Sequence, residues 1–168
     1  MLIQMKQCAV ERLKLRPQTD ADQPLLFALY SSTRADELAM TGWDAAACES
    51  FLRMQFNAQR IGYSQMFPNA QFYIILDGDS PVGRIVVDRA VDEIRVVDLV
   101  ITPEHREHGI GTELMKRLIA ESVAAEKPLR LCVVRGNRAV RFYERLGFAF
   151  TGESASHLNM ERPATLRA

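Results

Sequence analysis

The chain has 168 residues, a length that suits one domain with its own core, and its 48% hydrophobic and 25% charged content is ordinary for a globular protein. Lysine plus arginine and aspartate plus glutamate number 21 each, so the formal charge is zero. Proteins that live on phosphate contacts carry a basic excess, so nucleic acid is not an expected partner. No run approaches the ~18 apolar residues that span a bilayer, and the opening MLIQMKQCAVERLKLRP lacks the pattern of a secretory signal. Cys8, Cys48 and Cys132 are odd in number and widely spaced, without metal or redox spacing. The expectation is a cytoplasmic protein with reduced thiols and no membrane partner.

Val10 to Arg16 alternates apolar and charged residues and stops at Pro17, which predicts a first strand. Thr19 or Asp20 suits the N-cap of a helix carrying Leu25, Leu26, Leu29 and Tyr30. After the polar stretch STRADELAMTGW, Asp44 opens a second helix through Phe51, Leu52 and Phe56 to about Arg60. Pro68-Asn69 breaks it. Ala70 to Leu76 and Val82 to Val87 flank the turn signal Asp77-Gly78-Asp79, predicting a hairpin. Ile94 to Thr102 is apolar except for Arg95 and Asp98, the mark of a strand covered on both faces. From Gly111 the period turns helical, with Leu114, Met115, Leu118, Ile119 and Val123 on one face. A strand at Leu129 to Val134, a short helix from Ala139 to Leu146 stopped by Gly147, and strands near Phe148 to Glu153 and His157 to Arg162 complete the order. Without repeat or linker, residues 1–168 read as a single α/β domain with a mixed sheet. Its β-α-β unit from Ile94 to Val134 should hold two parallel strands.

The stretch VVDLVITPEHREHGIGTELMKRL carries the most chemistry. A buried strand ends at Thr102-Pro103, and Gly109 and Gly111 stand where an amphipathic helix begins. Helix N-termini leave backbone N–H groups without partners and hold roughly half a positive charge. Glycines there let a phosphate approach the backbone. The pattern has neither the third glycine of a dinucleotide fingerprint nor the Gly-Lys-Ser/Thr of a P-loop, and alone it reads equally as a tight turn without ligand. One strand further on, GNRAVRFYERLGF sets Asn137, Tyr143, Gly147 and Phe148 in order.

Arg106-x-x-Gly109-x-Gly111 after an apolar strand resembles the acetyl-CoA loop of the GNAT superfamily of N-acetyltransferases. Asn137 followed by Tyr143-Glu144-x-x-Gly147-Phe148 is similar to that superfamily's second cofactor motif. The resemblance covers Ile94 to Phe148. It implies a mixed, mostly antiparallel sheet flanked by helices, with a central parallel pair that splays apart so that Ile101 and Leu131 separate. It also implies an enzyme that transfers an acetyl group from acetyl-CoA directly to a primary amine of a small molecule or protein. No metal is needed, and a homodimer is compatible with the reading.

The backbone of Leu99, Val100 and Ile101 would then pair with the pantetheine arm. The loop of Arg106, Glu107, His108, Gly109, Ile110, Gly111 and Thr112 would wrap the pyrophosphate. Asn137 would bond the cofactor and Phe142 would line its apolar wall. Tyr143 would protonate the departing sulfur, since a phenol of pKa about 10 stays protonated at neutral pH. An amine must shed its proton first, and Glu93, at the start of the central strand, and Asp98, inside it, are the two carboxylates considered as base. For each of them a strand-edge or ion-paired charge is the favoured reading over the base. A non-catalytic acyl-CoA sensor of the same fold is the rival reading.

Other residues divide between two readings. His105 and His108 lack zinc spacing and read as loop histidines, and His157 as a surface histidine near the acceptor side. Arg34 and Glu37 suit either acceptor contacts or a helix-surface pair. Trp43, Phe51, Met54 and Phe56 read first as packing of the second helix, and Cys132 as a buried strand thiol.

Overall fold

The computed structural model describes residues 12–165. The predicted start of the first strand at Val10, and Cys8, lie outside them. The strands are β1 (Leu13–Pro17), β2 (Gln71–Asp77), β3 (Ser80–Arg89), β4 (Ile94–Ile101), β5 (Leu129–Val134), β6 (Ala149–Glu153) and β7 (His157–Arg162). The helices are α1 (Gln23–Ser32), α2 (Ala35–Ala39), α3 (Ala45–Met66), α4 (Ile110–Ala124) and α5 (Ala139–Arg145). The strands form one sheet in the order β1-β2-β3-β4-β5-β7-β6, antiparallel at every junction except β4–β5. Among the described residues no helix is long and apolar enough to cross a membrane.

Local chemistry accounts for the boundaries. Asp22 accepts from the Thr19 amide at 2.8 Å and the Thr19 hydroxyl at 3.0 Å, and takes the Arg16 guanidinium through both oxygens at 2.8 and 2.6 Å. This knot ties β1 to the 3-10 turn Asp20–Asp22 from which α1 grows, so α1 starts at Gln23 rather than at Asp20. Asp44 caps α3 as the sequence predicts, accepting from Ala47 N at 2.8 Å, but α3 runs on to Met66, past Arg60.

The sheet has a different cover on each face. Ile94, Val96, Leu129, Leu131 and Met160 point to the side of α4, where Ile110, Leu114, Met115 and Leu118 meet them, with α5 packed beside. Val123, expected on that face of α4, is 48% exposed; Ser122 is buried instead and donates to Lys127 O at 2.6 Å where the helix closes. On the other face α1 and α3 pack through Leu26, Tyr30 and Phe56 onto Ile74 of β2. Neither cluster contains a residue of this second face of β5, β7 or β6.

Candidate active site

The central feature is a fork. β4 and β5 pair in parallel at Ile94↔Leu129, Arg95↔Arg130 and Val96↔Leu131, and pairing stops there. Both strands continue, β4 for five residues and β5 for three, with no ladder between them. On its β3 side, β4 carries a bulge: Val86 pairs with Asp98 and Val87 with Val96, leaving Val97 as the extra residue. A bulge bends its strand and sharpens its twist, which turns the upper half of β4 away from β5. The expected separation of Ile101 and Leu131 therefore needs restating, since Leu131 is still paired and the gap opens above it. The gap also explains why β4 beyond Val96 is only half-buried instead of covered on both faces, and why Cys132 is exposed rather than buried.

Gly83 of β3 supports the other edge of the fork. A Cβ there would overlap Val100 O and sit 3.2 Å from Ile101 Cα, so only glycine lets β3 press this closely on the end of β4.

The loop leaving β4 is held at three points. Thr102 Oγ1 and His105 Nδ1 lie 2.8 Å apart, Arg106 Nε donates to Ile101 O at 2.9 Å, and Arg106 Nη2 donates to Ser32 Oγ of α1 at 3.0 Å. Arg106 thus fastens the loop to β4 and α1, with two of its nitrogens committed. Glu107 and Gly109 take positive φ of 64° and 84°. Gly109 is the N-cap of α4 and has no side chain to bond the helix's first amides. Nothing lies within 4 Å of where a Cβ of Gly109 would stand, so the space in front of the N-cap of α4 is open. That suits a bulky anion. His108 is exposed beside the N-cap. Gly111 sits against Ile101 and Phe142, whose Cδ1 and Cζ would be 3.5 and 3.6 Å from its Cβ, so strand, helix and α5 converge as the motifs require.

Asn137 is exposed, and its Oδ1 accepts from Ala139 N at 2.8 Å. Its oxygen builds the turn into α5, which leaves its amide nitrogen for a ligand. Tyr143 packs between Phe142, tilted against it, and Phe148, edge-on to it, with ring centroids 5.1 and 5.8 Å away. Burial pushes its phenol up to about 12, and the negative charge of Asp98 adds to the shift.

Three residues that the motifs did not single out complete the fork. Arg84, 5% exposed, donates through Nε to Asp98 Oδ2 at 2.9 Å and through Nη2 to the same oxygen and to Gln59 Oε1 of α3 at 3.3 Å. Tyr63 of α3 lies under the Arg84 guanidinium, 5.9 Å from its ring centroid. Burial raises its phenol, and Asp98 raises it further. The signals were present in the sequence: Gly83-Arg84 interrupts an apolar strand, and Asp98 interrupts the next one.

Glu93 does not join this group. It lies at the paired end of β4, some five residues or ~16 Å along the strand from Asp98. There its two oxygens take Arg95 at 2.7 and 3.3 Å and Arg130 at 2.6 Å. Burial alone would raise its carboxyl, but the bonds from Arg95 and Arg130 outweigh that and hold it below the usual range. A carboxylate so held is a poor proton acceptor. Asp98 is ion-paired as well, but through one oxygen only.

Arg34 and Glu37 form the surface pair, at 2.7 Å. Trp43 packs edge-on to Phe51 at 5.3 Å and Phe56 is buried, whereas Met54 is 58% exposed and is not part of the helix packing. His157 is exposed and bonds Ser156 Oγ at 2.8 Å. Among the described residues no three His, Cys, Asp or Glu side chains gather as a metal site.

Residues 68–149 match the model of the acetyltransferase (GNAT) domain. The fold is similar to that of the PaiA N-acetyltransferase from Thermoplasma acidophilum, solved in complex with coenzyme A, at 20% identity and TM-score 0.66 over 90% of this chain and 98% of that one. It is equally similar to an acetyltransferase from Thermus thermophilus, at 21% identity and TM-score 0.66 over 92% and 99%. The ribosomal-protein-S18-alanine N-acetyltransferase from Escherichia coli matches at 16% identity and TM-score 0.63 over 93% and 96%. The fork, the glycine-capped helix and the Tyr143 helix all lie within the residues that match the acetyltransferase (GNAT) domain, and the fold is the one these acetyltransferases share.

Proposed function

We propose that the protein is an acetyl-CoA-dependent N-acetyltransferase that moves an acetyl group directly to a primary amine. The observation that carries this reading is the fork above Val96↔Leu131, which opens beside a helix N-terminus with a glycine cap. The edge of β4 from Val97 to Ile101 that faces β5 has no strand beside it, and supplies backbone groups for an amide-bearing arm. The loop from Arg106 to Thr112 offers main-chain amides to a diphosphate, and Phe142 with Gly111 forms the apolar wall.

Acetyl-CoA supplies the thioester: the ammonium first gives one proton to solvent, the amine nitrogen then bonds the acetyl carbon as the carbon–sulfur bond breaks, and the proton the nitrogen sheds on acylation is balanced by one taken up at sulfur. A backbone N–H at Val100 or Ile101 faces the oxygen on which charge develops. Tyr143 donates to the sulfur. With its phenol near 12 and a thiol near 8.5, complete transfer is uphill by roughly 3 to 4 pK units, so Tyr143 works chiefly as a hydrogen-bond donor to the developing thiolate. Asp98, with one oxygen uncommitted, draws the ammonium of the acceptor to the fork. Glu93 keeps the structural role its two arginines give it.

Thiol release from acetyl-CoA, measured with a panel of amines, tests the proposal. Amine-dependent release with acetylated product supports it. Tight coenzyme A binding with no release over the whole panel overturns it in favour of the sensor.

A further inference from the structure

On the face of the sheet that also carries α1 and α3, β4, β5, β6 and β7 form an open cavity of about 280 Å³ lined by Arg95, Arg130, Thr151, Asn159 and Glu161, with Leu131 and Met160. Its place relative to the fork is fixed by register. Arg95↔Arg130 is the rung just below the last one, and Arg130 stands opposite Glu161 of β7. Cys132, two residues beyond Arg130 on the same face, is the first β5 residue past the fork. Its thiol is pushed up by partial desolvation, with the Arg95 charge acting against that rise. The cavity is therefore next to the site where an amine must meet the thioester, on the face away from α4.

The hydrogen-bonding capacity left in the cavity is mostly donor. Arg95 commits Nε and Nη2 to Glu93; Arg130 commits Nη1 to Glu93 and Nε to Glu161 at 2.7 Å. Both oxygens of Glu93 and one of Glu161 are thereby taken. Among the described residues, Nη1 of Arg95 and Nη2 of Arg130 have no protein acceptor, and Asn159 lines the cavity with them, while the Thr151 hydroxyl donates to Asn159 O at 3.5 Å. Two guanidinium groups with an uncommitted nitrogen each, lining one cavity with the Asn159 amide, match a carboxylate. Two strand residues separate this point from Cys132 and the fork, about 7 Å, a span of about five or six single bonds.

We propose that this cavity is the distal acceptor subsite and that the acceptor is an amino carboxylate. Its carboxylate lies against Arg95 and Arg130, and its amine, at the other end of an extended chain, reaches the mouth of the fork at Cys132. The inference rests on the acetyl-transfer reading above and adds the class of substrate.

The test compares three probes of similar length with the full chain and acetyl-CoA: 6-aminohexanoate, its carboxamide and 1,5-diaminopentane. The carboxylate should exceed both others in kcat/KM by about tenfold or more. Arg95→Gln should abolish that preference by raising KM for the carboxylate alone, with coenzyme A affinity unchanged. Arg95→Lys, which keeps the charge facing Glu93, should retain part of the preference and guards against a folding defect. An amide or diamine used as well as the carboxylate, or a preference that survives Arg95→Gln, overturns the inference while leaving acetyl transfer intact. If no amine is acetylated, acetyl transfer fails instead. Equilibrium dialysis of 6-aminohexanoate against the coenzyme A-bound chain then decides this subsite: Arg95-dependent binding supports it and no binding overturns it.

Discussion

The carboxylate of Asp98 acts on the phenol of Tyr143 although the two come from opposite sides of the sheet. Asp98 is on the face bearing α3, where Arg84, itself bonded to Gln59, holds it. Tyr143 belongs to α5, which packs with α4 on the other face. In a continuous sheet a strand would stand between them. Here the ladder has ended at Val96↔Leu131, and the gap lets the two groups feel one another.

That relationship can be measured from both ends. Tyr143→Phe should lower kcat by one to three orders of magnitude, roughly 1.5–4 kcal/mol of transition-state stabilisation, with little change in coenzyme A affinity. Equal turnover removes the donor role. Asp98→Asn should bring the Tyr143 phenol down from about 12, since it deletes a negative charge that disfavours the phenolate; the larger contribution from burial remains. NMR titration of ring-labelled tyrosine reads the shift, and an unmoved Tyr143 would show that Asp98 lies too far away to act on it.

Gly109 separates cofactor binding from folding. Its φ of +84° is in the left-handed region, and the space in front of it is open. Valine would meet no neighbour but would strain the backbone by about 1–2 kcal/mol or more, and its branches would stand in front of the helix amides. Gly109→Val should keep a native circular-dichroism spectrum and lose coenzyme A affinity by at least about tenfold. Unchanged titration would remove the loop from the site.

The parts legible in the sequence were those with local causes. Asp44 announces α3, Gly109 opens α4, and the apolar run from Leu129 to Val134 marks out β5. The parts that were not legible depend on which strands sit side by side. That Glu93 is ion-paired was legible, but not its partner Arg130, which is 37 residues away and arrives only when β5 pairs with β4. Cys132 looked buried because its strand is apolar, yet β4 has left by that point. Arg84 is the clearest omission. A charge inside VGRIVV is costly to bury unless paired, so a partner was implied, but its identity with Asp98 follows from the diagonal across the Val86↔Asp98 rung.

Asp22 makes acid sensitivity a test of the β1–α1 knot. Hydrogen bonds from Arg16 hold its carboxyl far below the ordinary value; burial works against them and the Thr19 bonds with them. A depressed carboxyl stabilises the fold fully above its unfolded pKa of about 3.9 and loses that contribution as pH falls from there towards the folded value. Asp22→Asn should therefore cost about 1–3 kcal/mol at neutral pH and progressively less below pH about 4. Parallel wild-type and variant denaturation curves between neutral pH and pH about 3 check this. A difference independent of pH would mean the side chain acts through packing alone.

Arg84 and Asp98 offer a sharper test, because the pair is buried and its partners come from different strands. The exposures of the two side chains are 6% and 15%, so removing the arginine strands a half-buried carboxylate. Arg84→Met should cost about 3–5 kcal/mol of stability, while Arg84→Met combined with Asp98→Asn should recover part of it, since the uncompensated charge is gone. Urea denaturation of the two single variants and the double variant gives the coupling energy directly. Strict additivity would mean that the contact contributes nothing as a pair. Activity should diverge from stability in the same set: the double variant, though refolded, lacks the anionic oxygen that draws the ammonium to the fork, so its KM for the amine should stay high where its melting temperature recovers.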